Sequence, residues 1–450
     1  MANMLDYLDW FGDVPLDQVP FNEVDNAILA QLSYVAFEGV VPWATEDTWV
    51  TMAEAAEEFR KLHGKGTIYG HAGVISPLTS LLPQKLAEGR RFSGALVGRL
   101  HSRTDVAESE QLAVFQVRLS DGSTYVTFRG TDDTIVGWRE DFEMTYGTVT
   151  SQRDAVTYLN VTCADIPAPI MVGGHSKGGN LAVYAAALCD QAVRDKISVV
   201  WNDDGPGFDE GVLPASALDR IRDRVRTYVP AFDVVGQLLD VLEPTKIVLS
   251  SDQGVMQHSA MGWQVRGTEF VGVEPQELLP SARKVNAAFD QWLGSANQEK
   301  RRELFGEFFD CLEAAGVRTL SDLLSGDPSV VTSVVSQMAD ADPAMRDYVI
   351  GLLMELASIT LQDSAAQLAE TAGAAVQDFV APAPALDPET PLSAEEMARY
   401  RRTETRRRRF SSLARLLGLT TQGLQAVLAV AGGATLIGVL ALWFSDRSED

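Results

Sequence analysis

Residues 171–181 read Met-Val-Gly-Gly-His-Ser-Lys-Gly-Gly-Asn-Leu, and within them Gly174-x-Ser176-x-Gly178 has the spacing of a serine carried on a sharp turn from strand to helix. Such a turn points the serine outward and leaves no room for Cβ atoms two residues to either side, hence the glycines. A serine in that position is a nucleophile once a base can take its proton. The chain has five histidines, His63, His71, His101, His175 and His258. His175 is fixed beside Ser176 on the turn, and only His258 follows the serine at a distance from which the chain can fold back onto it. The lysine-bearing glycine loop that cradles phosphate has a different spacing, with the lysine before the hydroxyl residue. Here Lys177 follows the serine.

The elements around the turn set where these groups can meet. A short apolar run, Ala168–Val172, leads in, and Leu181–Leu188 continues as a helix. Upstream, Phe115, Val117 and Leu119 alternate, Asp121-Gly122 turns the chain and Tyr125–Phe128 returns, the pattern of a β-hairpin. A helix over 151–161 follows. Downstream, Ile197–Trp201, Arg224–Val229 and Lys246–Ser250 read as strands that each end in a polar loop. Residues 1–110 read as mainly helical, with an apolar stripe at Val24, Ile28, Leu29 and Leu32 and a second helix over Thr48–Leu62. Strands alternating with helices predict a mostly parallel sheet that binds ligands at the carboxyl ends of its strands. Ser176, Asp233 and His258 all fall just past such ends.

The fold class expected is therefore α/β, of the α/β-hydrolase type, in which nucleophile, acid and histidine follow one another along the chain. Asp233, after the second strand beyond the turn, is the acid favoured by strand order. Asp203, Asp204 and Asp209 are rivals one strand earlier, and Asp252 is nearer His258 in sequence. In the expected chemistry His258 takes the Ser176 proton as the serine attacks an acyl carbonyl, and the acid steadies the imidazolium. The oxyanion would lie between the backbone N–H groups of Lys177 and Thr131, the latter where the strand ends in Phe128-Arg-Gly-Thr131. That chemistry calls for no metal and no organic cofactor. Cys163, Cys189 and Cys311 are too few and too scattered for a disulfide framework or a zinc site and read as buried thiols.

The chain is organised as a hydrolase domain over 1–270, a helical region over 271–379, a proline-rich linker over 380–393, an arginine-rich segment over 394–423, an apolar helix over 424–444 and a tail over 445–450. The helical region carries amphipathic runs at 278–292, 298–315, 319–324 and 347–357. The net charge is -25, although Arg399–Arg415 holds eight arginines against Glu404, so the body is more acidic still and repels nucleic acid. From Gly423 to Phe444 no residue is charged, a length close to the ~20 residues of a bilayer-spanning helix. The arginines before it predict a cytoplasmic domain anchored to the cell membrane by one C-terminal pass. The N-terminus lacks the basic start and apolar core of a signal peptide.

Phe128-Arg-Gly-Thr131 with Trp138 and Asp141, Gly174-His-Ser-Lys-Gly-Gly-Asn-Leu-Ala182, Asp233, and His258 followed by Trp263-Gln-Val265 together resemble the class 3, fungal-type lipases. The opening, Asn3–Trp10 and Pro20–Asp25, resembles a bacterial branch of lipase-like hydrolases long held as a domain of unknown function. The likeness spans about residues 1–270. It implies Ser176 as nucleophile, Asp233 as acid, His258 as base and Thr131 as oxyanion donor, acting on carboxylic esters, lipid-like acyl esters foremost. Lys177 stands where those lipases usually carry leucine, which places a cation at the pocket mouth. No lid is legible over 132–142. The alternatives are a catalytically weak hydrolase fold serving as a membrane-anchored interaction protein, and thioesterase or peptidase chemistry with the same residues. Oligomeric state is left open.

Overall fold

The computed structural model describes residues 2–64, 76–322 and 333, apart from positions 133, 210, 240, 241, 243, 253, 281, 284, 285, 288–296, 320 and 321. The chain divides into two compact units, Met1–Ser325 and Gly326–Asp450. The first runs past the expected boundary at residue 270. The second lies outside the described residues except at position 333, and with it the linker, the arginine-rich segment and the apolar segment over 424–444. Among the described residues no helix is long and apolar enough to cross a membrane.

Helices α1 (Met4–Phe11), α2 (Glu23–Leu32), α3 (Met52–His63) and α4 (Leu82–Glu88) are followed by α5 (Ile135–Glu143), α6 (Thr150–Thr162), α7 (Lys177–Leu188), α8 (Gln191–Arg194), α9 (Ala215–Leu218) and α10 (Gln298–Ala314). The first three start on capping boxes, Asn3 with Asp6, Asn22 with Asp25 and Thr51 with Glu54, which satisfy the amides that open a helix. Strands β1 (Val50–Thr51), β2 (Leu96–Asp105), β3 (Glu110–Arg118), β4 (Thr124–Phe128), β5 (Ile170–His175), β6 (Ile197–Asp203), β7 (Val225–Pro230) and β8 (Lys246–Val248) form one sheet in that order. Pairing is antiparallel from β1 to β4 and parallel from β4 to β8. A small hairpin, β9 (Val265–Arg266) and β10 (Glu269–Phe270), lies apart.

The sheet is covered on both faces, and side chains alternate between them. Phe115, Val117, Tyr125 and Met171 join the core made with α1 to α4, whereas Val114, Val126, Val172 and Ile170 join the core made with α6 and α7. Reading 1–110 as mainly helical omits β2, a ten-residue strand. Its polar stretch, His101 to Asp105, shows no clean alternation because it is a partly exposed strand with a register shift between Gly98 and His101. The run over 298–315 is the helix α10, which belongs to the first unit and packs its rings against α5, Phe305 lying 4.6 Å from Phe142 between centroids. Most of the run over 278–292, and all of that over 347–357, lie outside the described residues.

Candidate active site

Ser176 stands alone between the last residue of β5 and the first of α7, with φ +59° and ψ -134°. A non-glycine residue held there stores about 1–3 kcal/mol, offset by the surrounding structure. The glycines on either side are required by close approach. A Cβ on Gly174 would lie 2.4 Å from the Gly178 carbonyl, and one on Gly178 would lie 2.1 Å from the Phe128 oxygen, well inside contact. The serine amide donates to the Asp203 carbonyl at 2.9 Å, which ties the turn to the end of β6.

His258 ends a short 3-10 turn, Gly254–His258, and is buried. Its Nδ1 lies 2.6 Å from Oδ2 of Asp204, so the carboxylate on the imidazole is Asp204 and not the expected Asp233. The reason lies in the loop after β6. Asp204 has φ +55°, and this left-handed step, fixed by its amide donating to the Tyr228 carbonyl at 2.8 Å, separates its side chain from that of its neighbour. Asp203 turns to α2 and accepts both of its bonds from Asn26 Nδ2, at 2.8 and 3.0 Å. Asp209 accepts from Gly211 and Gln298, and Asp252 stays on the loop before His258. Asp233 is buried behind Asp204 and accepts from the Gly236 amide and from Gln237 Nε2. Burial drives the His258 imidazole down to about 4, opposed by the charge of Asp233, and pushes Asp204 up to about 7.

His175 is a strut that the sequence does not announce. Its Nε2 lies 2.7 Å from the His258 carbonyl, which can only accept, so Nε2 carries the proton. Burial holds this imidazole neutral, and the Tyr34 hydroxyl therefore donates to Nδ1 at 2.9 Å. The backbone of His258 is thus hung from the turn that carries Ser176. Trp263 Nε1 donates to the Gln257 carbonyl, and Gln257 Oε1 accepts the Phe232 amide, closing the same segment from the other side.

Lys177 does not put a cation at the pocket mouth. Its ammonium runs inward to Glu140 at 2.9 Å and to Gln111 at 2.9 and 3.0 Å, and the side chain is 1% exposed. Burial works against its charge, but Glu140 and Asp141 outweigh that and raise its pKa. Glu140 also accepts the amides of Gln111 and Ser151, so one carboxylate joins α5, β3 and α6 behind the turn. Thr131 donates its hydroxyl to Asp141, and burial lifts that carboxyl to about 6. The amides of Thr131 and Lys177 donate to no protein acceptor among the described residues. For Lys177 this follows from its place as the first residue of α7. The α5 helix fills the stretch where no lid was legible, held down by Glu140.

Among the described residues no group of three or more His, Cys, Asp and Glu side chains is arranged to hold a metal ion. Cys163 and Cys189 are buried thiols whose pKa values burial raises, and Cys311 is partly exposed. A strained serine, a histidine bonded to a buried carboxylate and two unpaired amides are therefore gathered at the carboxyl edge of β4 to β7. Such an arrangement suits acyl transfer.

A comparison with curated proteins finds no match. Among solved structures the chain is similar to one described as "Crystal structure of M37 lipase", at 16% identity and a TM-score of 0.30, covering 47% of this chain and 68% of that one. The Mbeg1-like family matches residues 86–310, half of the chain and all of the strands and turns that carry the site up to His258. The chain belongs to the Mbeg1-like family and through it is related to lipase-like α/β-hydrolases.

Proposed function

We propose that this protein is a serine hydrolase of carboxylic esters, with Ser176 as nucleophile, His258 as general base and Asp204 as the acid that orients it. Asp204 occupies Nδ1 of His258, which leaves Nε2 to take the proton from Ser176 Oγ as that oxygen attacks the acyl carbon. The carbonyl oxygen becomes an oxyanion between the amides of Thr131 and Lys177, where losing one donor typically costs about 3 kcal/mol. Collapse expels the alcohol, protonated by His258, and leaves an acyl-enzyme that water hydrolyses by the same steps in reverse. The observation that carries this reading is the positive-φ Ser176 on the strand edge it shares with the 2.6 Å His258–Asp204 pair.

The substrate class follows from position. The uncharged segment over 424–444 and the arginines before it suit a single membrane anchor with the catalytic unit on the cytoplasmic side. Lipid-like acyl esters presented by the inner leaflet are then the substrates within reach. The test is fluorophosphonate labelling of the full-length chain in isolated membranes, followed by alkaline extraction. Wild type should be labelled and stay in the pellet, and both Ser176→Ala and His258→Ala should abolish the signal. A well-folded, unlabelled wild type would sink the hydrolase reading, and a labelled chain released by extraction would sink the anchor.

A further inference from the structure

Three parts of the candidate site meet at one side chain that comes from outside the matched family segment. Tyr34 lies just past the end of α2, ahead of residues 86–310, and is 2% exposed. The helix before it is tied to the sheet. Asn26 donates to Asp203 and accepts from the Tyr125 hydroxyl, and the Leu29 carbonyl accepts from Thr127. The Tyr34 hydroxyl so placed lies 2.9 Å from His175 Nδ1 and 3.3 Å from the His175 carbonyl oxygen. It also meets the loop that carries Thr131. A Cβ placed on Gly130 would lie 2.1 Å from this hydroxyl, 2.5 Å from the His175 oxygen and 3.0 Å from the Ser176 Cβ.

The hydrogen bonds run in one direction. A carbonyl oxygen only accepts, so the 2.7 Å contact with the His258 carbonyl puts a proton on His175 Nε2. No carboxylate is bonded to this buried imidazole among the described residues, so it stays neutral and its Nδ1 accepts. A phenol has one proton to give, and the shorter contact takes it. The other tautomer of His175 would turn a lone pair of Nε2 toward the His258 carbonyl and lose that bond. The two imidazoles also lie against each other, with ring centroids 4.6 Å apart. His175 thus holds His258 by its backbone and packs on its ring.

We propose that Tyr34 is a positioning residue of the hydrolytic site: its hydroxyl locks His175 in the tautomer whose Nε2–H holds the His258 backbone, and so sets where the catalytic imidazole stands relative to Ser176. This role rests on the hydrolase reading above. Tyr34 acts through His175, and the helical region before residue 86 is thereby part of the site as well as cover for one face of the sheet.

The experiment follows fluorophosphonate labelling of the full-length chain in isolated membranes and reads two quantities, the fraction of chains labelled at completion and the rate constant of labelling. A loss of stability lowers the first, and a displaced His258 lowers the second. Tyr34→Phe should reach the wild-type endpoint about tenfold more slowly, the worth of one hydrogen bond. His175→Gln carries its amide nitrogen to the place of Nε2 and can still donate to the His258 carbonyl, so it should stay within about tenfold of wild type. His175→Asn can accept from Tyr34 but falls short of His258, so it should lose about a hundredfold, as a misplaced catalytic group does. In the His175→Asn background Tyr34→Phe should slow labelling no further, because the strut is already cut. An unchanged rate constant in Tyr34→Phe, whatever its endpoint, overturns the proposal. So does a His175→Gln chain that labels no faster than His175→Asn, or a further tenfold loss in the double variant. A folded wild type that takes no label defeats the hydrolase reading, and this role with it.

Discussion

On one side of Ser176, Lys177 drives its ammonium between Glu140 and Gln111. On the other, Asp204, Asp233 and His258 are gathered with no lysine or arginine paired to them among the described residues. The first cluster is matched, cation to anion, with the remaining lone pairs of Glu140 taken by backbone amides. The second is left with more carboxyl than the site can ionise. A matched buried pair holds elements in place and has no spare proton to move. An unmatched one displaces its groups from their ordinary pKa values, burial lifting Asp204 to about 7 and lowering His258 to about 4. The position after the nucleophile therefore serves architecture, and the reactive chemistry is collected on the opposite flank.

The contrast can be broken from either end. The largest effect expected is in Asp204→Asn, where the wrong imidazole tautomer should slow labelling of Ser176 by about 10⁴-fold. Removing one of two crowded carboxylates should leave the melting temperature unchanged or raise it. A matched loss of stability in thermal melts would show that Asp204 is as architectural as Glu140. Lys177→Met should do the reverse. Glu140 would be left buried without its cation, at about 3–5 kcal/mol of stability in urea unfolding, while whatever remains folded keeps the histidine and its acid intact. A Lys177→Met protein of wild-type stability would remove the distinction. The smallest effect calibrates both. Arg60 and Glu57 form an ion pair in which the two side chains are 53% and 49% exposed, and Arg60→Ala should change stability by less than about 0.5 kcal/mol in the same assay.

The reactive turn was legible because steric exclusion leaves a local mark. Gly174 and Gly178 are the only answer to backbone approaches near 2.4 and 2.1 Å, and a glycine is visible in any sequence. His258 was legible by elimination among five histidines. The hairpin and the parallel strands were legible because both faces of the sheet are buried and the apolar runs are short and bounded. The strand β2 was not, since its second half, His101 to Asp105, is polar and only partly covered. Nor was the direction of Lys177, whose partner Glu140 lies 37 residues away on another helix and leaves no local mark. The strut from Tyr34 through His175 to the His258 carbonyl was hidden for the same reason, and so was the choice of acid. Strand order favoured Asp233, but one positive φ at Asp204 swings a different carboxylate onto the imidazole.

The sequence by itself determined the α/β alternation, the serine turn with its glycines, and the histidine that returns to it. Each of these depends on properties of single residues and short spacings, such as volume, period and count. The tertiary structure alone decided which carboxylate faces His258, that Lys177 is a buried brace, and that Asp233 sits behind the acid. Those outcomes depend on the dielectric and the neighbours at each site, which exist only once strands far apart in the chain lie side by side.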